Sequence, residues 1–216
     1  MGFIVYIMGA SGSGKTSLGA LLSERYGYEH FDIDEYYWEK TDPPFQVARP
    51  RSEFAEELIE DLTGAGLGVL TGNLGVNPGD YVSLIDLIVF LDAPTDVRLG
   101  RLKAREHERF GDRIEPDGDM HQTHIDFMEW AEAYEGDDNR FNTRQKQKWQ
   151  IEKLQCPVMR IDATQEQGAL CEGVHARVRE MLTIKDKRGR GNFVNLSRAL
   201  VNNPSRDSGC PLNLTN

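Results

Sequence analysis

Eight residues, Gly9-Ala-Ser-Gly-Ser-Gly-Lys-Thr16, carry the pattern G-x-x-x-x-G-K-[ST]. Their types and spacing suit one chemistry, the gripping of a chain of phosphates. Gly9, Gly12 and Gly14 let the backbone turn so tightly that the N–H groups of the loop, those of Ala10, Ser11 and Ser13 among them, point at the β- and α-phosphates. Lys15 reaches the outer phosphates, and the Thr16 hydroxyl is of the type that ligates Mg²⁺. A helix expected from about Lys15 to Tyr26 adds the positive end of its dipole. The ligand implied is a nucleoside triphosphate.

Carboxylates come next. Asp32 and Asp34 close a short apolar run, where an open α/β sheet places its ligands. Neighbouring carboxylates at a strand end can divide two tasks: one holds Mg²⁺ through water, the other orients or deprotonates an acceptor hydroxyl. Asp34 as a mere cap of the segment Glu35–Glu39 is the plainer alternative. Asp92, after the run Leu87-Ile-Val-Phe-Leu91, is a competing magnesium ligand, and the residues do not choose between Asp32 and Asp92.

Basic residues follow in three groups. Arg98, Arg101, Arg105 and Arg109 fall within about 80° of one another on a helix and form a stripe suited to polyphosphate. Arg140 and Arg144 lie one turn apart and can hold an anionic acceptor or equally sit on the surface, while Arg49 and Arg51 flank Pro50 in a segment suited to holding an acceptor. Gly72 and Asn73, with Asn77 further on, follow the third strand, where a glycine admits close backbone approach and an asparagine can bond a substrate. The five histidines show no paired zinc-ligand spacing, and Trp38, Trp130 and Trp149 read as packing aromatics.

The elements that must position these groups alternate. Strands are predicted at Phe3–Met8, Glu29–Ile33, Gly68–Thr71, Leu87–Asp92 and Pro157–Ile161. Helices are predicted at Lys15–Tyr26, Ser52–Ala65 (Ser52 as N-cap), Thr95–Phe110, Met120–Tyr134, Asn142–Leu154 and Gln165–Leu182. Such alternation implies a three-layer α/β domain around a parallel sheet. Gly111–Gly118 is a hinge-rich polar loop suited to a closing lid.

The chain has 216 residues and a net charge of −10, unevenly spread. From Ile184 onward six Lys/Arg stand against two Asp/Glu, so the last segment carries +4 and residues 1–183 carry −14. A body that acidic argues against nucleic acid and anionic membranes as general partners. Cys156, Cys171 and Cys210 are odd in number and scattered, as reduced thiols of a cytoplasmic protein would be. No apolar run approaches the length that spans a bilayer. One domain over 1–183 with a lid about 106–121, a basic and flexible tail over 184–216, and a monomer or weak dimer are expected.

Taken together, the cradle at Gly9–Thr16, the Asp32-Ile-Asp34 pair, the Arg101-Leu-Lys-Ala-Arg105 stretch and the late Ile161-Asp-Ala163 resemble the small P-loop kinases, the group of shikimate, gluconate and adenylate kinases. The resemblance spans about residues 3–182. It implies a three-layer α/β/α P-loop NTPase with a five-stranded parallel sheet and a helical lid. The activity implied is transfer of the γ-phosphoryl of Mg·ATP to a small-molecule hydroxyl. It further implies that Asp32 helps Thr16 hold magnesium and that Asp34 contacts the acceptor. Arg101 and Arg105 would touch adenine and phosphates, Asp162 and Ala163 would pass near the adenine, and Arg140 or Arg144 would bind the acceptor. After the third strand the chain reads Thr71-Gly-Asn-Leu-Gly75, which matches neither the D-G-F-P-R of adenylate kinases nor the G-G-G run of shikimate kinases. A nucleoside or nucleotide kinase and a non-catalytic nucleotide sensor are the rival readings.

Overall fold

A computed structural model describes residues 2–74, 81, 83–137 and 142–187. Five strands, β1 (Phe3–Gly9), β2 (Glu29–Asp32), β3 (Leu67–Thr71), β4 (Ile85–Asp92) and β5 (Val158–Asp162), form one sheet in the order β2-β3-β1-β4-β5. Every pairing is parallel. The helices are α1 (Lys15–Tyr26), α2 (Ile33–Tyr37), α3 (Arg51–Gly64), α4 (Thr95–Phe110), α5 (His121–Glu132), α6 (Arg144–Leu154) and α7 (Gln167–Lys187).

The sheet is covered on both faces because its central strand β1 is buried along its whole length and β3 and β4 are apolar over most of theirs. All seven residues of β1 are buried, and their side chains alternate between two cores. Phe3, Val5 and Ile7 join Leu18 and Leu22 of α1 and Val174, Val178 and Leu182 of α7. Ile4, Tyr6 and Met8 join Leu58 and Leu62 of α3 and Ile151 and Leu154 of α6. Each such aliphatic side chain contributes about 1.5–3 kcal/mol on burial. The three-layer α/β architecture with five parallel strands is therefore as the pattern required.

Departures are local and have causes. β2 stops at Asp32 because the Asp32 side chain accepts from the Asp34 N–H and caps α2, so Asp32, not Asp34, is the cap of this segment. The predicted Ser52 cap is not used. Pro50 occupies the N-cap position of α3, and its carbonyl accepts from the N–H groups of Glu53 and Phe54. Thr143 caps α6 through Lys146 N–H, which moves that start to Arg144. The Glu166 carboxylate takes the N–H groups of Gly168 and Ala169 and sets the start of α7. Trp149, expected to pack, is 44% exposed. Arg140, Asn77, Cys210 and the tail from residue 188 on lie outside the described residues.

Candidate active site

Parallel strands bring their C-terminal ends to one edge, and here Gly9, Asp32, Thr71, Asp92 and Asp162 stand there together. The loop from Gly9 to Gly14 leads into α1. Gly14 adopts φ 96° at the N-cap of that helix, and Gly12 has φ 78° with its Cα against the Arg98 carbonyl. A Cβ at Gly12 would lie 2.5 Å from that oxygen. Three carbonyls at the start of the loop have side-chain donors, and Ala10 O also accepts from the Ser13 N–H at 3.2 Å, so that N–H is spent within the loop. Gln147 Nε2 takes Gly9 O at 3.0 Å, Lys15 Nζ takes Ala10 O at 3.0 Å, and an Arg98 guanidinium nitrogen takes Ser11 O at 3.2 Å.

A first expected outcome follows from Gly12. Gly12→Ala places a side chain in the left-handed region, at about 1–2 kcal/mol, before the clash with the Arg98 carbonyl is added. Thermal melting should show lowered stability, and the upward shift caused by ATP should vanish; an unchanged shift would contradict the cradle geometry.

Thr16 Oγ1 donates to Asp32 Oδ2 at 2.8 Å, which places the loop's hydroxyl and the strand-end carboxylate side by side. Asp92 is engaged elsewhere, its two oxygens taken by Arg144 at 3.2 and 2.8 Å, and that pairing holds its carboxyl below the usual range. Asp32 is thus the carboxylate set against Thr16. Gly72, at φ 110°, lies so close that a Cβ there would meet Ile33 Cβ at 2.9 Å and Asp32 Oδ1 at 3.5 Å.

Lys15 is half-buried, and desolvation lowers its ammonium from 10.5 to about 8 although Asp34 and Asp32 pull the other way. Asp34 is raised above its ordinary value by the protein packed around it and by the Asp32 charge, against the pull of Lys15 and Arg105. Lys15, Asp32, Asp34 and Arg105 therefore act on one another across a single space.

The arginine stripe divides into separate tasks. Arg101 donates to the Ala163 carbonyl at 3.0 Å, which joins α4 to the turn after β5. That turn is held by Asp162, whose Oδ1 accepts from both the N–H and the hydroxyl of Thr164. Arg105 pairs with Glu106 at 2.8 Å and lies over the Phe127 ring. Arg109 stands over Phe45 and Phe110. Arg98 does not face the phosphates as the stripe suggested. It is 0% exposed beneath the loop, spending its donors on Ser11 O, Ala131 O and Thr95 Oγ1.

A cavity of about 320 Å³ opens beside α2, lined by Ile33, Tyr37, Arg49, Arg51, Phe54, Leu58, Asn73, Leu74 and Tyr81. Arg51 and Asn73, both expected to meet an acceptor, are brought together on it. The wall formed by Gly72–Leu74 is stapled to the core: the Tyr6 hydroxyl donates to Gly72 O and accepts from the Leu74 N–H. Arg49 is steadied by Tyr36 O and Glu57. Arg144 is not among these lining residues. It lines a separate open cavity of about 440 Å³ with Glu135, Gly136, Asp137, Gln145 and Lys148, where its fork is held by Asp92 and Glu135 at 2.7–2.8 Å. The rings of Tyr37, Phe54 and Tyr81 carried no signal in the sequence beyond that of packing aromatics.

The loop suits a triphosphate with a magnesium ion. Within the cradle, Ser13 Oγ is buried with no hydrogen-bond partner among the described residues, while Thr16 and Asp32 supply adjacent oxygen donors. Among the described residues no group of three or more His, Cys, Asp or Glu forms a metal cage. A cation held by one or two oxygens of the protein together with phosphate oxygens is the usual arrangement for Mg²⁺.

A five-stranded parallel sheet whose first strand turns through this glycine-rich loop into α1 defines the P-loop class of α/β proteins. Within that class, the chain belongs to the family of the uncharacterized protein YqaC of Bacillus subtilis strain 168, with which it is 35% identical over 158 residues, 73% of this chain and 87% of that protein. A shorter stretch of 37 residues is 43% identical to a probable gluconokinase of Mus musculus, covering 17% of this chain and 20% of the mouse protein. Among solved structures, a gluconokinase from Sinorhizobium meliloti 1021 is 20% identical, covers 85% of this chain and 97% of its own, and has a TM-score of 0.46. A shikimate kinase from Acinetobacter baumannii, in complex with shikimate, is 16% identical over 86% of this chain and 96% of its own, with a TM-score of 0.46. No protein-family model matches the chain.

Proposed function

We propose that this protein is an ATP-dependent phosphotransferase that moves the γ-phosphoryl group of Mg·ATP to a hydroxyl of a small molecule seated in the cavity beside α2. The observation that supports this reading is the grouping of Lys15, the Thr16–Asp32 pair and Asp34 about the end of β2, with Ile33, between the two aspartates, lining that cavity. Gly9–Thr16 would hold the phosphates. Thr16 and Asp32 would hold the magnesium ion, whose chemistry is to neutralise charge on the phosphate oxygens. Lys15 and Arg105 bring positive charge to the transferring group, and Asp34 orients the acceptor hydroxyl and receives its proton. Arg101, joined to Ala163, borders the space where the adenine would lie. Such a site works by positioning and electrostatics rather than by covalent chemistry of its own.

Acceptor recognition falls to Arg49, Arg51 and Asn73, with Gly72 allowing close approach. Two guanidinium groups on one wall suit an acceptor that carries a carboxylate or a phosphate. A second reading, a nucleoside or nucleotide kinase, is favoured by the aromatic rings of Tyr37, Phe54 and Tyr81 on the same cavity, since flat bases pack well against rings.

Release of ADP from Mg·ATP, measured against sugar acids, shikimate, nucleosides and nucleoside monophosphates, tests both. One acceptor class should raise the rate well above the acceptor-free background, and the gain should be lost in Lys15→Ala. A rate indifferent to every acceptor would set the kinase reading aside in favour of a nucleotide-binding sensor.

A further inference from the structure

Two carbonyls of the loop, Gly9 O and Ser11 O, turn against buried protein and take their donors there. Gly9 O is the first of them, and its donor comes from 138 residues away. Gln147, on the inner face of α6, is 2% exposed and gives its Nε2 to that carbonyl at 3.0 Å. The other end of the same amide, Oε1, accepts from the Tyr134 hydroxyl at 2.7 Å. Flipping the amide would set Oε1 against Gly9 O, acceptor against acceptor, so the loop carbonyl and the tyrosine hydroxyl together admit one orientation.

Tyr134 is itself fixed. It is 3% exposed, and its ring stands against the guanidinium of Arg98 at 5.0 Å and that of Arg144 at 5.3 Å. Arg98 takes the second of these carbonyls, Ser11 O. Arg144 is clamped by Asp92 at the end of β4 and by Glu135 beside the tyrosine. Two donors on separate elements thus hold the loop from outside, and Tyr134 touches both residues that carry them, Arg98 through its ring and Gln147 through its hydroxyl.

We infer that Gln147, oriented by Tyr134, is a positioning residue: it holds the Gly9 carbonyl outward and so keeps the loop's N–H groups set for phosphate before any ligand arrives. This rests on the reading of Gly9–Thr16 as a phosphate cradle. Neither residue touches the ligand. Their effect is carried by backbone geometry, so it should fall on phosphate recognition and leave contacts to the base alone.

The experiment uses the full chain with Gln147→Met, which keeps length and loses both bonds, and Tyr134→Phe, which keeps the ring and loses only the hydroxyl. In the ligand-free protein, amide hydrogen exchange across residues 9–16 should quicken in both variants, more in Gln147→Met. Tripolyphosphate should bind about tenfold more weakly to Gln147→Met, with a smaller loss in Tyr134→Phe, while the affinity for adenosine stays as in the parent. Tyr134→Phe should add nothing further in a Gln147→Met background, because the hydroxyl acts through the amide. Loss of affinity for adenosine and tripolyphosphate alike would reduce Gln147 to a general packing role and overturn the inference, as would unchanged exchange in the loop or strictly additive effects. If the parent protein bound no tripolyphosphate, the phosphate reading would fall and the inferred role with it. The exchange measurement, which needs no ligand, would then still distinguish a loop held by Gln147 from one that is not.

Discussion

Lys15→Met should lower phosphoryl transfer by about 10³-fold and abolish the ATP-induced rise in melting temperature, yet leave the ligand-free protein as stable as the parent or more so. The two halves have one cause. Lys15 brings the charge that polyphosphate needs, and holding that ammonium half-buried in the empty site is unfavourable, which is why it titrates at about 8 instead of 10.5. A group whose folded value is depressed in this way binds fewer protons in the native state than in the unfolded chain between those two values. The penalty of the buried charge is therefore in full force below pH 8 and is relieved as the pH rises toward 10.5. Methionine has the length without the charge, and so removes that penalty at neutral pH. The same titration predicts that kcat/KM for ATP declines above about pH 8, as free protein loses the Lys15 proton, while kcat holds, because bound nucleotide keeps the proton in place. A Lys15→Met protein that still shifted on adding ATP, or that melted well below the parent without it, would contradict this account.

Asp34→Asn should reduce kcat by about 10²–10⁴-fold, with little change in ATP affinity. Its carboxyl is raised by the protein around it and by the neighbouring Asp32 charge. As pH falls, Asp34 should then take up its proton earlier than an ordinary carboxylate of about 3.9, and transfer should decline with it. The acid limb of the kcat/KM profile for the acceptor should come from Asp34 and be absent in Asp34→Asn, whose residual rate stays flat. Asp32→Asn should behave differently, weakening the dependence on magnesium because its carboxylate lies against Thr16. Profiles that kept the same acid limb in Asp34→Asn would move the proton-accepting role to another group.

Much of this site is readable along the chain because its parts are local. The cradle is eight consecutive residues whose glycines and lysine have to be what they are for backbone reasons. Asp32 and Asp34 are neighbours at a strand end, and alternating apolar runs announce a parallel sheet without reference to what each strand pairs with. Arg51 and Asn73 were also within reach, since each follows a segment whose end faces the ligand edge.

What eluded that reading depends on which residues meet across long separations. Asp32 and Asp92 are equivalent as sequence, each an acid after an apolar run; only folding sets Thr16 against the first and Arg144 against the second. Arg98, Arg101, Arg105 and Arg109 share a helical face, yet that face crosses several environments, from the buried underside of the loop to the ring of Phe45. Gln147 looks like any polar helix residue until Gly9 and Tyr134 close on it. A local motif follows from backbone chemistry and so is written in the order of residues. A partner 52 or 138 positions away is chosen by packing, by which buried donor and acceptor are left to satisfy each other when the layers of the fold come together.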